Sequence, residues 1–355
     1  MTDRFEDYDF PLPEHLIAQR PLPARDRSRL MLLQRGSDAI AHHVFSELPA
    51  LLPPDALLVM NNTRVPPRRL AARLPSGVEL EALLVVEEAP GLWHALVRKA
   101  RRIKPGMTIP FAEGALPARA LERTEDGAWR LQFESSQDLT ARLEAHGMAP
   151  LPPYIRRDLH GGYDAAAVQA DRAAYQTCYA RVEGAIAAPT AGLHFTPQVL
   201  ADVRARGVET AELTLHVGLG TFAKVKVSDT ADHTMHDEWF ELPAETAARI
   251  MQARAQGRPV IAVGTTTVRA LESWAAEGAR PDHQGWTRLY IRPPYEFRIV
   301  DGLLTNFHLP KSTLMLMVSA LYGRERLLAA YAEAVAQEYR FFSFGDCMLI
   351  APQRV

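Results

Sequence analysis

The sequence predicts an α/β fold: a core domain on a mixed, largely parallel sheet or barrel, with a small antiparallel β-barrel domain inserted into it. Three observations lead there. Apolar runs such as Val260-Ile261-Ala262-Val263 read as strands buried on both faces. They alternate with helix-length segments stopped by glycine at Gly207, Gly257 and Gly278, the pattern of an α/β layer. Between about Arg68 and Met148 the texture changes to short alternating runs separated by turn signals, which suggests a small barrel. The expected division is therefore 1–67 and 151–355 for the core and 68–150 for the insertion.

In chain order, Glu14 to Gln19 reads as a short helix closed by Pro21, and Leu30 to Leu33 and Ala56 to Met60 as buried strands. The second strand runs into Asn61-Asn62-Thr63-Arg64, polar groups at a carboxyl end, where open α/β sheets place ligands. Within the insertion, Val78 to Leu83 and Trp93 to Val97 alternate, with turns at Pro75-Ser76-Gly77, Pro90-Gly91, Pro105-Gly106 and Asp126-Gly127. Beyond Pro152-Pro153, Thr196-Pro197 caps a helix, Val208 to Val217 is strand-like, and Pro243 to Gln256 is a helix. Val268 to Glu277 and Leu327 to Glu338 are further helices. Phe297 to Leu304 reads as strand and turn, Leu314 to Leu321 as a buried helix, and Cys347 to Ile350 as a strand.

Composition bounds the function. With 355 residues, 47% hydrophobic and 23% charged, this is an ordinary globular chain with room for a sizeable core. Forty basic against 42 acidic residues give a net charge of −2, so any polyanion site must come from local asymmetry. Early acidic residues argue against a signal peptide, and the longest apolar run, near Leu314, is far short of a bilayer span. Two cysteines, far apart and in no CxxC pattern, point to reduced thiols and a cytoplasmic protein.

Several stretches can carry chemistry. Asn306-Phe307-His308-Leu309-Pro310-Lys311-Ser312-Thr313 puts polar groups between two apolar elements; it is either a capped helix whose lysine reaches solvent or an anion site beside a helix N-terminus. Gly264-Thr265-Thr266-Thr267-Val268-Arg269 sits at a strand-to-helix turn suited to an anion, yet matches neither the P-loop nor the dinucleotide fingerprint. Thr190 to His194, and His216 followed by Gly218-Leu219-Gly220-Thr221, place histidines and hydroxyls in loops at expected strand and helix ends, where they are either satisfied structural donors or groups for general acid–base work. His233 to Glu238 has the density of a metal site without the spacing of one; a histidine–carboxylate pair is the favoured reading, and no metal is expected. Tyr154-Ile155-Arg156-Arg157 and Tyr175-Gln176-Thr177 combine rings with cationic or amide groups, either surface packing or RNA contacts. The tract Arg98-Lys99-Ala100-Arg101-Arg102-Ile103-Lys104 is either a solvated strand edge or a phosphate-backbone contact.

Taken in order, these blocks resemble the S-adenosylmethionine:tRNA ribosyltransferase-isomerases of queuosine biosynthesis. The resemblance rests on Asp7 to Phe10 with Leu16 to Gln19, Asn61 to Val65, Pro152 to Ile155, Tyr175 to Thr177 and Ala188 to Thr196. It continues through Leu215 to Phe222, Met235-His236 with Glu238, Gly264 to Arg269, Asn306 to Leu314 and Tyr339 to Ile350. The insertion matches in texture only, and Asn62, Leu219 and Cys347 depart from residues common in the family. The resemblance implies transfer and isomerisation of a ribosyl group from S-adenosylmethionine to 7-aminomethyl-7-deazaguanine at the wobble position of tRNA, with adenine and methionine released. It implies S-adenosylmethionine as a consumed substrate, no cofactor, tRNA as partner, no membrane, and a monomer. His194, His216, His236 and His308 are the candidate proton-transfer groups, with Glu238 or Asp346 as partners. Asn61, Thr63, Arg64, Tyr154, Arg156, Tyr175, Gln176, Thr190, Thr221, Thr265, Thr266, Arg269, Asn306, Lys311, Ser312, Thr313 and Arg340 are the candidate substrate contacts. Arg98, Lys99, Arg101, Arg102 and Lys104 are the candidate RNA-backbone contacts. A conventional methyltransferase and a noncatalytic RNA-binding protein are the competing classes.

Overall fold

A computed structural model describes residues 3–134, 138–158, 163–218, 220, 225 and 227–353. The chain separates into two compact units, one of 1–64, 153–155 and 176–355, the other of 65–152 and 156–175.

The first unit opens with β1 (Arg29–Gln34), β2 (Ile40–Val44), the single turn α1 (Leu48–Leu51), β3 (Leu57–Asn61) and β4 (Thr63–Arg64). The expected helix at Glu14 is only a 3-10 turn, Glu14–Leu16, since Pro13 and Pro21 leave no run long enough for an α-helix. The second unit holds β5 (Arg69–Arg73), β6 (Glu79–Ala89), β7 (Leu92–Arg98), β8 (Thr108–Phe111), β9 (Leu116–Arg123) and β10 (Trp129–Phe133), then α2 (Leu139–His146) and α3 (Ala165–Ala174). Back in the first unit follow β11 (Val182–Glu183), α4 (Pro197–Ala205), β12 (Glu209–Leu215), β13 (Glu238–Leu242), α5 (Ala244–Ala255) and β14 (Val260–Val263). The chain closes with α6 (Thr265–Ala276), β15 (His283–Thr287), β16 (Gly302–Asn306), α7 (Thr313–Tyr322), α8 (Arg324–Ala336) and β17 (Cys347–Ala351).

Nine strands form one sheet in the order β15-β13-β12-β3-β14-β16-β17-β1-β2. The middle four, β12-β3-β14-β16, are mutually parallel, as are β17 and β1. The other four pairings are antiparallel, so the sheet is mixed rather than largely parallel. One cause is visible at the C-terminus. Two helices rather than one separate β16 from β17, so the chain re-enters the sheet at the end it left, pairing Asn306 with Cys347. Every residue of β3, β14 and β16 is buried, and Leu30, Leu58, Met60, Ile261, Leu304 and Leu349 share a core with Phe195, Val199 and Val203.

This topology gathers polar residues at one sheet edge. β12, β3, β14 and β16 end there, at His216, Asn61, Gly264 and Asn306; β13, β17 and β1 begin there, at Glu238, Cys347 and Arg29. Helix starts match the capping chemistry. Thr196 accepts from the Val199 amide at 3.2 Å with Pro197 as the first helical residue, and Ser312 accepts from the Met315 amide at 3.3 Å. α6 begins three residues before its predicted start because Gly264, at φ +88°, turns the chain directly out of β14.

In the second unit the order β5-β6-β7-β10-β9-β8 is antiparallel throughout, and the end strands β5 and β8 lie side by side, curling the sheet into a nearly closed barrel. Leu70, Leu84, Trp93, Phe111, Trp129, Leu131 and Phe133 fill it. Arg156 to Tyr175 groups with this unit, where the Arg157–Asp171 pair, at 2.6 Å, is buried and Tyr163 donates to the same carboxylate at 2.8 Å.

Candidate active site

Asn61 ends β3 fully buried, with its amide used on both sides. Its Nδ2 donates to the Leu215 carbonyl at 2.9 Å and to Thr266 Oγ1 at 3.2 Å, while its Oδ1 accepts from the Leu215 and Thr63 amides, each at 3.1 Å. A single side chain thus joins two strand ends to the first turn of α6. Asn62 beside it accepts from Thr214 Oγ1 at 2.7 Å and donates to Glu212 Oε2 at 3.2 Å. An aspartate here, common in the resembled family, would have no hydrogen to give that carboxylate. The departure has a local account.

Thr63 Oγ1 lies 2.8 Å from His216 Nδ1 and donates to the Val182 carbonyl at 3.4 Å. The short Thr63 contact fixes which way the imidazole faces. The ring stacks on Trp239 with centroids 5.0 Å apart and an interplanar angle of 19°. A Cβ at Gly184 would stand 2.5 Å from Nε2, so only glycine lets the chain pass that side of the ring.

Glu238 and Arg269 are both buried and form an ion pair with each other. Glu238 Oε1 also accepts from the Gly218 amide at 3.0 Å, and Arg269 Nε donates to the Leu289 carbonyl at 3.1 Å. The histidine–carboxylate pair expected near His236 has no hydrogen bond among the described residues. His236 is exposed, Asp237 pairs with Arg288 at the surface, and Glu238 takes the guanidinium, which compensates the burial of its charge. Arg269, expected to meet a substrate anion, is spent on the same pair.

His194 is buried between elements. Its Nδ1 lies 2.7 Å from Ser28 Oγ, its Nε2 3.1 Å from Asn306 Nδ2, and its ring stacks on Phe45 at 5.2 Å. Asn306 Nδ2 also donates to the Phe342 carbonyl at 3.1 Å, which fixes the orientation of the amide. Burial first, then the Arg340 and Arg25 charges, push His194 down to about 3. It is a neutral imidazole with both nitrogens engaged, a structural joint rather than a proton carrier. Asn306 Oδ1 is buried and accepts no hydrogen bond among the described residues.

Asp346 is likewise structural: Oδ1 accepts from the Arg29 amide and Oδ2 from the Arg340 amide, each at 2.8 Å, with Arg29 Nε at 3.4 Å. No histidine bonds to it among the described residues. Arg340 is half-buried, with Nη2 on the Arg20 carbonyl and its charge disfavoured by burial. His308 is buried beside Thr305, Nε2 to Oγ1 2.9 Å, and burial lowers it to about 4. Lys311 turns to the surface and pairs with Asp9 at 3.0 Å and Glu6 at 3.4 Å. Ser312 and Thr313 are used as helix cap and first helical residue. Of the two readings of this stretch, the capped helix accounts for the bonds seen.

Thr190 opens the 3-10 turn that ends at His194, and Thr265 and Thr266 begin α6. Tyr154 bonds Ser343 Oγ at 2.7 Å and packs on Phe342; burial raises it to about 12. The Gln176 carbonyl accepts from Arg25 at 2.6 Å, and Arg64 pairs with Glu183 at 3.5 Å. Thr221 lies outside the described residues.

Arg156, exposed, and Tyr175, buried, belong to the second unit, as does the basic tract. There Arg98 pairs with Glu81 at 3.4 Å and Lys99 with Glu79 at 4.0 Å. A groove of about 640 Å³ is lined by Lys99, Arg101, Arg102 and Arg123 over Val78, Val97 and Ala100. Ser28, Trp239 and Arg123 are contributors that sequence reasoning passed over. A lone serine or tryptophan carries no signal until the fold supplies its neighbour.

A family model described as queuosine biosynthesis protein matches residues 5–350. An S-adenosylmethionine:tRNA ribosyltransferase-isomerase of Desulfitobacterium hafniense is 47% identical over 349 residues, 98% of this chain and 99% of the relative. One of Acaryochloris marina is 49% identical, covering 100% of this chain and 95% of the relative. The crystal structure of S-adenosylmethionine tRNA ribosyltransferase from Thermotoga maritima is similar with a TM-score of 0.55 at 37% identity, covering 97% of this chain and 99% of that one.

Proposed function

The chain belongs to the queuosine biosynthesis protein family, and on that premise we infer that it is an S-adenosylmethionine:tRNA ribosyltransferase-isomerase. It transfers the ribosyl group of S-adenosylmethionine to tRNA and isomerises it. The observation that carries this is the extent of the family match, which spans the whole sheet and every polar strand end at its one edge. In this reading the acceptor is 7-aminomethyl-7-deazaguanine at the wobble position, the product is epoxyqueuosine, and adenine and methionine leave. S-adenosylmethionine is consumed as a substrate and no cofactor enters. The enzyme works in the cytoplasm as a monomer, with Cys178 and Cys347 as free thiols.

The reaction needs a base for the proton on the carbon beside the sulfonium, since the positive sulfur makes that carbon acidic. His216 is our candidate. Its Nδ1 is held by Thr63, the base role assigns the lone pair to Nε2, and it lies where β12 and β3 end. His308, neutral near pH 7 and close to the same edge, is the second proton-transfer candidate. The methionine carboxylate fits the first turn of α6 at Thr265 and Thr266, because Lys311 and Arg269 already have carboxylate partners. Arg101 and Arg102 on the barrel hold tRNA phosphates. The test is product analysis of S-adenosylmethionine turnover with tRNA carrying the precursor base. Adenine release that requires that base supports the reading; S-adenosylhomocysteine with a methylated RNA replaces it with a methyltransferase.

A further inference from the structure

We propose that Trp286 is a stacking platform for an unstacked nucleobase of the tRNA anticodon loop, extending the candidate site along the sheet edge. The proposal rests on the tRNA-dependent reading above. β15 is the outermost strand of the nine-stranded sheet, and Trp286, its next-to-last residue, is 66% exposed. An edge strand ordinarily carries charge or proline at such a position, because an exposed ring there invites association and stabilises nothing within the fold. Its register partner on β13 is Trp239, and directly paired residues of antiparallel strands face the same side. Trp239 in turn stacks on His216. Trp286 on β15, Trp239 on β13 and His216 just past the end of β12 therefore form one row, from the proposed base outward to solvent.

Charge around the outer ring is consistent with a base and not a phosphate. Arg288, just past the end of β15, is paired with Asp237, and Glu241, two residues from Trp239 on the same face of β13, adds a carboxylate that disfavours a phosphate. Single-stranded RNA is held by aromatic faces of this kind, which accept any base, while cationic residues elsewhere track the backbone. A base of the loop resting on Trp286 would place its neighbour toward Trp239 and His216, where the reacting nucleotide must be.

The test measures binding of a fluorescently labelled anticodon stem-loop to the full chain, with steady-state turnover alongside. Trp286→Ala is expected to weaken RNA binding about 5- to 150-fold, the range of one base–aromatic stack. Trp286→Phe should retain most of the affinity. The KM for S-adenosylmethionine and the dependence of binding on salt should stay unchanged in both, since no charge is removed. Trp286 is exposed, so neither variant endangers folding. Equal RNA affinity in Trp286→Ala and the wild type overturns the proposal. So does a change of oligomeric state in Trp286→Ala without loss of RNA binding, which would assign the ring to a second copy. A wild-type chain that neither binds the stem-loop nor releases adenine would instead sink the ribosyltransferase reading itself.

Discussion

Replacing Thr63 by valine keeps the shape of the strand end and removes the hydroxyl that holds His216 at 2.8 Å. A hydrogen bond of this kind contributes about 0.5–1.5 kcal/mol net, which corresponds to about 2- to 13-fold in rate if all of it serves to orient the base. Removing the base itself, in His216→Ala, should slow the chemical step by roughly 10²- to 10⁴-fold. The assay is single-turnover adenine release with tRNA and S-adenosylmethionine saturating, so that binding does not enter. If Thr63 acts only through His216, adding Thr63→Val to His216→Ala should cost nothing further. An equal slowing by Thr63→Val in both backgrounds would refute the orientation argument. Near-normal turnover in His216→Ala would remove His216 from the chemistry.

Three other outcomes are expected. Glu238→Gln leaves the buried Arg269 charge uncompensated and should cost about 3–5 kcal/mol in urea unfolding; adding Arg269→Met should recover much of it, whereas strictly additive losses would mean the two are not coupled. His194 and His308 are held near 3 and 4, below the value of about 6.5 for an unfolded histidine, so the unfolded chain binds more protons between those limits. Their contribution to stability is complete above about pH 6.5 and is lost as pH falls toward 4, at up to about 1.4 kcal/mol per pH unit each; His308→Gln should flatten the slope of urea midpoint against pH over that interval. Arg101→Ala with Arg102→Ala should weaken tRNA binding at low salt and reduce the slope of log affinity against log salt by about two, and unchanged affinity would make the tract a solvated strand edge.

What the sequence disclosed depended on how local the physics was. Strand β14, helix α4 with its Thr196-Pro197 start, and α7 after Ser312 were legible because burial pattern and capping act over a few residues. The direction of β17 was not, because the two helices before it had to be paired with a sheet position first. The same limit separates the site residues. Asn61, Thr63 and His216 stood out as polar groups at strand ends, and the fold brings them together. Glu238 and Arg269 stood out too, but 31 residues of separation hid that each was the other's partner. His194 and Asp346 looked like chemistry because buried polar residues do. Their hydrogen bonds to Ser28, Asn306, Arg29 and the Arg340 backbone make them joints between elements. Glu272 was missed altogether, although its buried carboxylate accepts the amides of Arg298, Ile299 and Val300 at 2.9, 3.0 and 3.0 Å. A glutamate within a helix gives no sign in sequence that three amides will converge on it.

The most direct measurement follows the ribosyl carbons. S-adenosylmethionine labelled in its ribose is incubated with this chain and tRNA bearing 7-aminomethyl-7-deazaguanine, and label is sought in the RNA as free adenine is counted. Label in the wobble nucleoside, at one equivalent per adenine released, is the expected result. Label that stays in S-adenosylhomocysteine, with the wobble nucleoside unchanged in its sugar, would contradict the account.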